Sequence, residues 1–172
     1  MGRASGVLLA VSSLPNSYGI GTFGKEAFDF IDFLVRTKQR YWQVLPLTTT
    51  SYGDSPYQSF SAAAGSPYYI DLKDLEKLGY LKSDDFEDIS FGTSNTCVDY
   101  GALFVNHRRL LNRAFDRFMQ DIPADFEKFC HDHAEWLNPY AEFMSLKEEF
   151  GHKAYWEWPE LYQHRNETTA KE

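Results

Sequence analysis

Two short apolar runs flank one segment of helical spacing in the first part of the chain. Gly6 to Ser12 is a continuous apolar run rich in β-formers, which predicts a strand buried on both faces. Lys25 to Thr37 places Ala27, Phe30, Ile31 and Leu34 at i, i+3, i+4 and i+7, with Phe28 and Val35 widening the stripe. That spacing predicts an amphipathic helix. Tyr41 to Leu47 is a second strand candidate. Strand, helix and strand in this order form a βαβ unit, which implies a parallel pair with a right-handed crossover.

Polar, turn-rich segments separate these elements. Ser13 to Gly24 carries Pro15, Asn16, Gly19, Gly21 and Gly24. Thr48 to Pro67 shows no clear periodicity, and an ordered loop of that length is usually functional. The remainder is mostly helical. Asp71 to Leu78 ends at Gly79, a residue suited to a helix C-terminus. Lys82 to Thr96 is acidic, polar and irregular in pattern. Asp99 can cap a helix running to about Gln120, with Leu103, Phe104, Leu110, Leu111, Ala114, Phe115 and Phe118 as its apolar face. Pro123 opens a helix to Leu137, Asn138-Pro139 restarts another, and that one ends near Phe150-Gly151. Asn166 to Glu172 reads as a polar tail.

Composition narrows the class. Of 172 residues, 43% are hydrophobic and 24% charged, as in ordinary globular proteins. No apolar run is long enough to span a bilayer as a helix. The opening MGRASG lacks the features of a secretory signal, so a cytoplasmic location is expected. A net charge of −8 argues against a nucleic-acid partner. Cys97 and Cys130 are far apart and suggest neither a disulfide framework nor a zinc knuckle. Aromatic residues reach 17%, which is compatible with a dense core or with a surface that stacks on flat ligands. The charge leaves sugars ahead of bases.

The segment Ser51-Tyr52-Gly53-Asp54-Ser55-Pro56-Tyr57-Gln58-Ser59 carries the most chemistry. It follows the C-terminal end of a predicted parallel strand, where α/β sheets and barrels place ligands. Tyr52 and Tyr57 offer rings for the apolar face of a pyranose, and Asp54, Ser55, Gln58 and Ser59 offer groups for its hydroxyls. A structural turn over a packed tyrosine is the other reading. Gly19, Gly21 and Gly24 resemble a dinucleotide fingerprint, but no acidic residue ends the second strand. His131 and His133 fall on different faces of a helix and have no partners to complete a metal site, so no metal is expected. Trp156-Glu157-Trp158-Pro159 reads as a packing plug rather than a sugar platform.

Several segments match one family. Ser5 to Leu9, Ser12 to Pro15, Tyr18 to Gly21, Tyr41 to Leu47, Ser51 to Phe60, Gly65, Pro67-Tyr68, Ile70 to Leu72, Val98 to Tyr100 and Trp156 to Pro159 resemble the 4-α-glucanotransferases, also called amylomaltases or disproportionating enzymes (glycoside hydrolase family 77). The likeness extends from Ser5 to Arg165. Lys38 stands where the family usually has glycine, Thr48-Thr49 where it has Gly-Pro, and Ser66 where it has asparagine.

The resemblance implies an α/β fold: the first two strands of a (β/α)8 TIM barrel followed by a mostly helical insertion. Residues 1–71 would hold the first β/α units with a substrate loop at 48–67, residues 72–165 the insertion, and 166–172 a polar tail. It implies transfer of α-1,4-glucan segments to glucose or glucan acceptors with retention, without metal or organic cofactor. By position, Tyr57 resembles the residue that stacks on the glucose at the cleavage point. Ser55 and Gln58 lie beside it as hydrogen-bonding groups, and Asp54 would hold the loop. Tyr52 and Tyr100 resemble aromatics of a secondary glucan site. The family's catalytic carboxylates map onto no residue here. A complete barrel needs about 250 residues, so this chain alone is expected to be inactive, with open apolar faces. A non-catalytic α-glucan-binding module and a plain interaction domain are the alternatives.

Overall fold

The computed structural model describes residues 2–50, 54–94 and 96–163. They form two compact units, Met1–Ile122 and Pro123–Glu172.

In the first unit, β1 (Gly6–Leu8) leads through a turn to α1 (Lys25–Arg36) and then to β2 (Tyr41–Gln43). The strands pair in parallel, with Gly6 opposite Tyr41, Val7 opposite Trp42 and Leu8 opposite Gln43. This is the strand–helix–strand unit the hydrophobic pattern predicts. Both strands are shorter than their apolar runs. After Leu8 the chain turns, and Val11–Ser13 forms a 3-10 turn. Val11 is nonetheless buried, packing with Leu14 and Ala27. After Gln43, Val44 and Leu47 reach the same cluster, beside Phe30 and Trp42. The expectation of a strand buried on both faces is not met: Leu8 is 59% exposed, and the buried residue of this apolar run is Val11, beyond the strand.

α2 (Leu72–Lys77) starts at Asp71, whose side chain accepts the Asp74 amide. It ends where Gly79, at φ 82°, lets the Tyr80 amide donate back to the Leu75 carbonyl at 2.9 Å. Ser83–Phe86 makes one 3-10 turn. α3 (Tyr100–Phe118) is capped by Asp99, which accepts the Ala102 amide. Leu103, His107, Leu110 and Ala114 form its buried stripe, while Phe104 and Phe115 remain exposed. Leu72, Leu81, Leu110 and Ala114 make the core between α2 and α3. Arg117 ties the intervening turn to α3 through Asp85 (2.6 and 3.0 Å) and the Tyr80 carbonyl (2.8 Å).

In the second unit, α4 (Ala124–Asp132) and α5 (Ala134–Glu149) meet at His133. Sequence spacing places this break at Asn138-Pro139 instead. His133 packs at a tilt against Phe129, its ring centroid 4.6 Å away, and accepts the Trp136 indole N–H, which holds the bend. Pro139 lies in the second turn of α5, so the one hydrogen bond it forfeits belongs to the carbonyl of exposed Glu135. A turn at Tyr155–Glu157 and α6 (Glu160–Gln163) follow. Trp158 is buried between Phe143 and Phe150, and its indole N–H donates to the Lys153 carbonyl. It is the expected plug, whereas Trp156 is exposed.

Candidate functional site

β2 feeds the loop 48–67, and backbone pairing pins the loop's two ends together. Thr48 bridges Gly65 in antiparallel fashion, and the Ser66 amide donates to the Leu47 carbonyl at 2.9 Å. The Thr49 amide donates to the Ala64 carbonyl at 3.3 Å, and its hydroxyl lies 3.2 Å from that of Ser59. Inside the loop, the Ser61 hydroxyl accepts the Ala63 and Ala64 amides. Short hydroxyl side chains thus satisfy a backbone that has no ladder of its own.

The tip is a tight turn. The Gln58 amide donates to the Ser55 carbonyl at 3.1 Å, and Pro56 fills the second turn position, where its fixed φ is pre-set. Tyr57 follows and is 73% exposed, so the turn holds an aromatic ring out to solvent. Gln58 is exposed beside it, and Ser55 is half-buried with its hydroxyl accepting the Tyr57 amide at 3.4 Å. Tyr52 lies outside the described residues.

Asp54 occupies the left-handed backbone region at φ 57°, where a short side chain is tolerated. Partial burial raises its carboxyl above the usual range. Its charge acts on Tyr68 and Tyr100, whose phenols burial raises first and foremost. These two rings meet edge to face at 6.2 Å, and Tyr68 in turn meets His107 at 5.7 Å. Tyr100, Tyr68 and His107 thus form a row of rings that ends in a buried histidine. His107 is only 1% exposed, and the Ile70 backbone is the one hydrogen-bonding group that acts on its ring. Burial pushes its pKa down to about 4, so it is a neutral ring at pH 7. Sequence spacing did not single out Tyr68 or His107 as support. The available signal was that His107 completes the stripe of Leu103, Leu110 and Ala114.

The glycine-rich segment is a packing device. A Cβ on Gly21 would lie 2.0 Å from the Val11 carbonyl, and one on Gly24 would lie 2.0 Å from Asp71 Oδ2. Buried Thr22 donates to the same Asp71 carboxylate at 2.5 Å and accepts from Asn16. These glycines let chain approach chain, with no room for a pyrophosphate. Among the described residues, no group of three His, Cys, Asp or Glu side chains could hold a metal ion.

Chemically, the loop can bind but lacks the groups for glycosyl transfer. Tyr57 presents an apolar platform flanked by hydroxyl and amide groups, which suits a pyranose. Asp54 is the sole acidic residue of 48–67, whereas retaining transfer requires two carboxyl groups about 5 Å apart.

Residues 9–172 match the family model described as 4-alpha-glucanotransferase. The chain belongs to this family. It is 51% identical over 172 residues to the 4-alpha-glucanotransferase of Streptococcus pneumoniae, covering 99% of this chain and 34% of that protein. The Thermus thermophilus 4-alpha-glucanotransferase is 44% identical, with coverage of 99% and 34%. An amylomaltase from Streptococcus agalactiae, solved in complex with acarbose, matches with a TM-score of 0.87 at 49% identity, over 92% of this chain and 32% of that one. The chain thus spans about a third of the length of these 4-alpha-glucanotransferases.

Two departures from the 4-alpha-glucanotransferase pattern now have a physical reading. Lys38 has φ 59°, the conformation that favours glycine. Thr49 supplies the amide that pairs with Ala64, a donor that the family's usual proline would lack.

Proposed function

We propose that the chain is the opening portion of a cytoplasmic α-1,4-glucan transferase, holding part of its donor site. In this reading β1, α1 and β2 begin a (β/α)8 barrel, residues 1–71 supply its first β/α units, 72–165 a helical insertion and 166–172 a polar tail. Tyr57 stacks on a glucose ring of the donor, Ser55 and Gln58 contact its hydroxyls, and Asp54 sets the loop's backbone. Tyr52 and Tyr100 serve a second glucan contact. Retaining transfer to glucose or a glucan acceptor then depends on carboxylates that residues 1–172 do not provide. The observation that carries this reading is the exposed Tyr57 at the tip of a pinned loop beyond β2, in a chain of this family.

Calorimetric titration with acarbose and maltooligosaccharides tests it. Saturable binding is expected, weakened about 2- to 13-fold in Tyr57→Ala, since stacking on one ring is worth about 0.5–1.5 kcal/mol. Circular dichroism should not change, because the ring is exposed. Flat titrations would overturn the reading. Conversion of maltotriose to glucose and longer chains by the 172-residue chain alone would overturn its catalytic part.

A further inference from the structure

The aromatic motif at 156–159 does not act as one unit. Trp158 is the buried plug, but Trp156 is 67% exposed, and Tyr155 before it is 50% exposed. The Tyr155 and Trp156 rings meet at 78°, with their centroids 5.2 Å apart. An indole and a phenol left in water forgo the burial that such rings ordinarily gain.

The backbone that carries them is fixed from both sides. Within the turn, the Glu157 carboxylate accepts the Ala154 amide at 3.2 Å, and the Glu157 amide donates to the Ala154 carbonyl at 2.9 Å. From α6, the Gln163 side-chain amide donates to the Trp156 and Trp158 carbonyls at 3.2 and 2.7 Å. From α5, the Lys147 ammonium donates to the His152 and Lys153 carbonyls at 3.0 and 3.2 Å. The two rings are therefore presented on a braced turn, and little order remains to be lost when a ligand settles on them.

The surroundings point to the ligand class. Lys153, Glu157 and Glu160 are exposed charged residues in and beside the turn. Rings set among charges are a poor match for an apolar protein surface. They match a pyranose, which has an apolar C–H face for a ring and hydroxyls for an ammonium or a carboxylate. Two rings at an angle also suit a curved α-1,4-glucan, whose successive glucose units turn relative to one another. Lys153 and Glu157 further line a hollow with Glu149, Phe150 and Pro159, which offers room for a neighbouring glucose unit.

We infer that Tyr155 and Trp156 form a further α-1,4-glucan-binding platform, built wholly from the second unit and using none of the residues of the Tyr57 loop. The inference takes its ligand class from the proposed function and its geometry from the second unit alone.

The test is an NMR titration of the nitrogen-15-labelled 172-residue chain with maltoheptaose. The chain has four tryptophans, Trp42, Trp136, Trp156 and Trp158, and so four indole N–H signals. A saturable shift of the Trp156 signal is expected, larger than that of Trp42 and retained in Tyr57→Ala. Tyr155→Ala should weaken the affinity read at this signal about 2- to 13-fold, the effect of removing one stacking ring. Tyr155→Phe should restore most of it, and circular dichroism should match in both variants. Cellohexaose, a straight β-linked chain, should bind the platform more weakly. An unmoved Trp156 signal while maltoheptaose binds elsewhere would overturn the platform and leave the proposed function standing. A Trp156 shift abolished by Tyr57→Ala, an affinity insensitive to Tyr155→Ala, or an equal response to cellohexaose would also overturn it. Binding seen at Trp156 and nowhere else, with calorimetry unaffected by Tyr57→Ala, would instead count against the loop's role in the proposed function, and the platform would stand. A titration in which no signal moves would overturn both.

Discussion

Two regions of the first unit handle apolar surface in opposite ways. Around α2 and α3, Leu72, Leu81, Leu103 and Leu110 are at most 2% exposed, and Arg117 and Asp85 clamp the connecting turn. In β1–α1–β2, the apolar residues outnumber the surface available to cover them, and Leu8, Phe28 and Val35 stay open. The first region closes its core with its own residues. The second leaves apolar surface open, because a two-stranded parallel sheet cannot enclose a helix that is apolar across most of its circumference.

The largest expected effect comes from exchanging like for like across this divide. Leu110→Ala should cost about 3–5 kcal/mol in urea unfolding, since it empties space in a packed core. Leu8→Ala should cost less than about 0.5 kcal/mol. Equal losses at the two sites would erase the contrast.

His107 sharpens the closed side next. A histidine whose folded pKa is about 4 binds its proton in the unfolded chain first, near pH 6.5. Its contribution is therefore fully present above about pH 6.5 and is lost as pH falls toward 4, on the order of 3 kcal/mol in all. His107→Leu should flatten unfolding free energy across that window, because the group that gains a proton on unfolding is gone. A pH slope retained in the variant would assign the effect elsewhere.

Asp85 acts at lower pH. Hydrogen bonds from the Arg117 guanidinium hold its carboxyl down to about 2. Its stabilisation is present above about pH 4 and lost as pH falls toward 2. Asp85→Asn should cost about 2 kcal/mol at neutral pH, as expected for a charge-assisted pair with fork geometry. The variant's unfolding curve should lose its slope between pH 4 and 2.

The closed region was also the more legible one. Asp99 before α3, Gly79 after α2 and the leucine stripe of α3 each act within one or two turns, so spacing alone reveals them. The strand–helix–strand order was legible for the same reason. Strand ends were not, because Val11 is buried, and Val44 and Leu47 partly buried, in a cluster with Leu14 and Ala27 rather than by strand pairing. The break at His133 depends on ring packing with Phe129 and Trp136, which no local preference encodes. At the candidate site, Pro56 marked the turn that exposes Tyr57. The row from Asp54 through Tyr68 and Tyr100 to His107 joins residues far apart in the chain, and only folding brings them together.

The smallest effect tests the open region from inside. α1 ends in the same hydrogen-bond motif as α2. The Gln39 amide donates to the Leu34 carbonyl at 2.9 Å and the Lys38 amide to the Val35 carbonyl at 3.0 Å. In α2 the left-handed position of this motif is Gly79, whereas in α1 it is Lys38 at φ 59°. A side chain there costs about 1–2 kcal/mol, partly offset because glycine loses more entropy on folding. Lys38→Gly should thus raise stability by about 0.5–1 kcal/mol, read as a higher urea midpoint at constant slope. Gly79→Lys should lower it by a similar amount. If Lys38→Gly gains nothing while Gly79→Lys loses, then α1 unfolds apart from the α2–α3 core. The open region would then fold as an independent element, and the main transition would report the closed region alone.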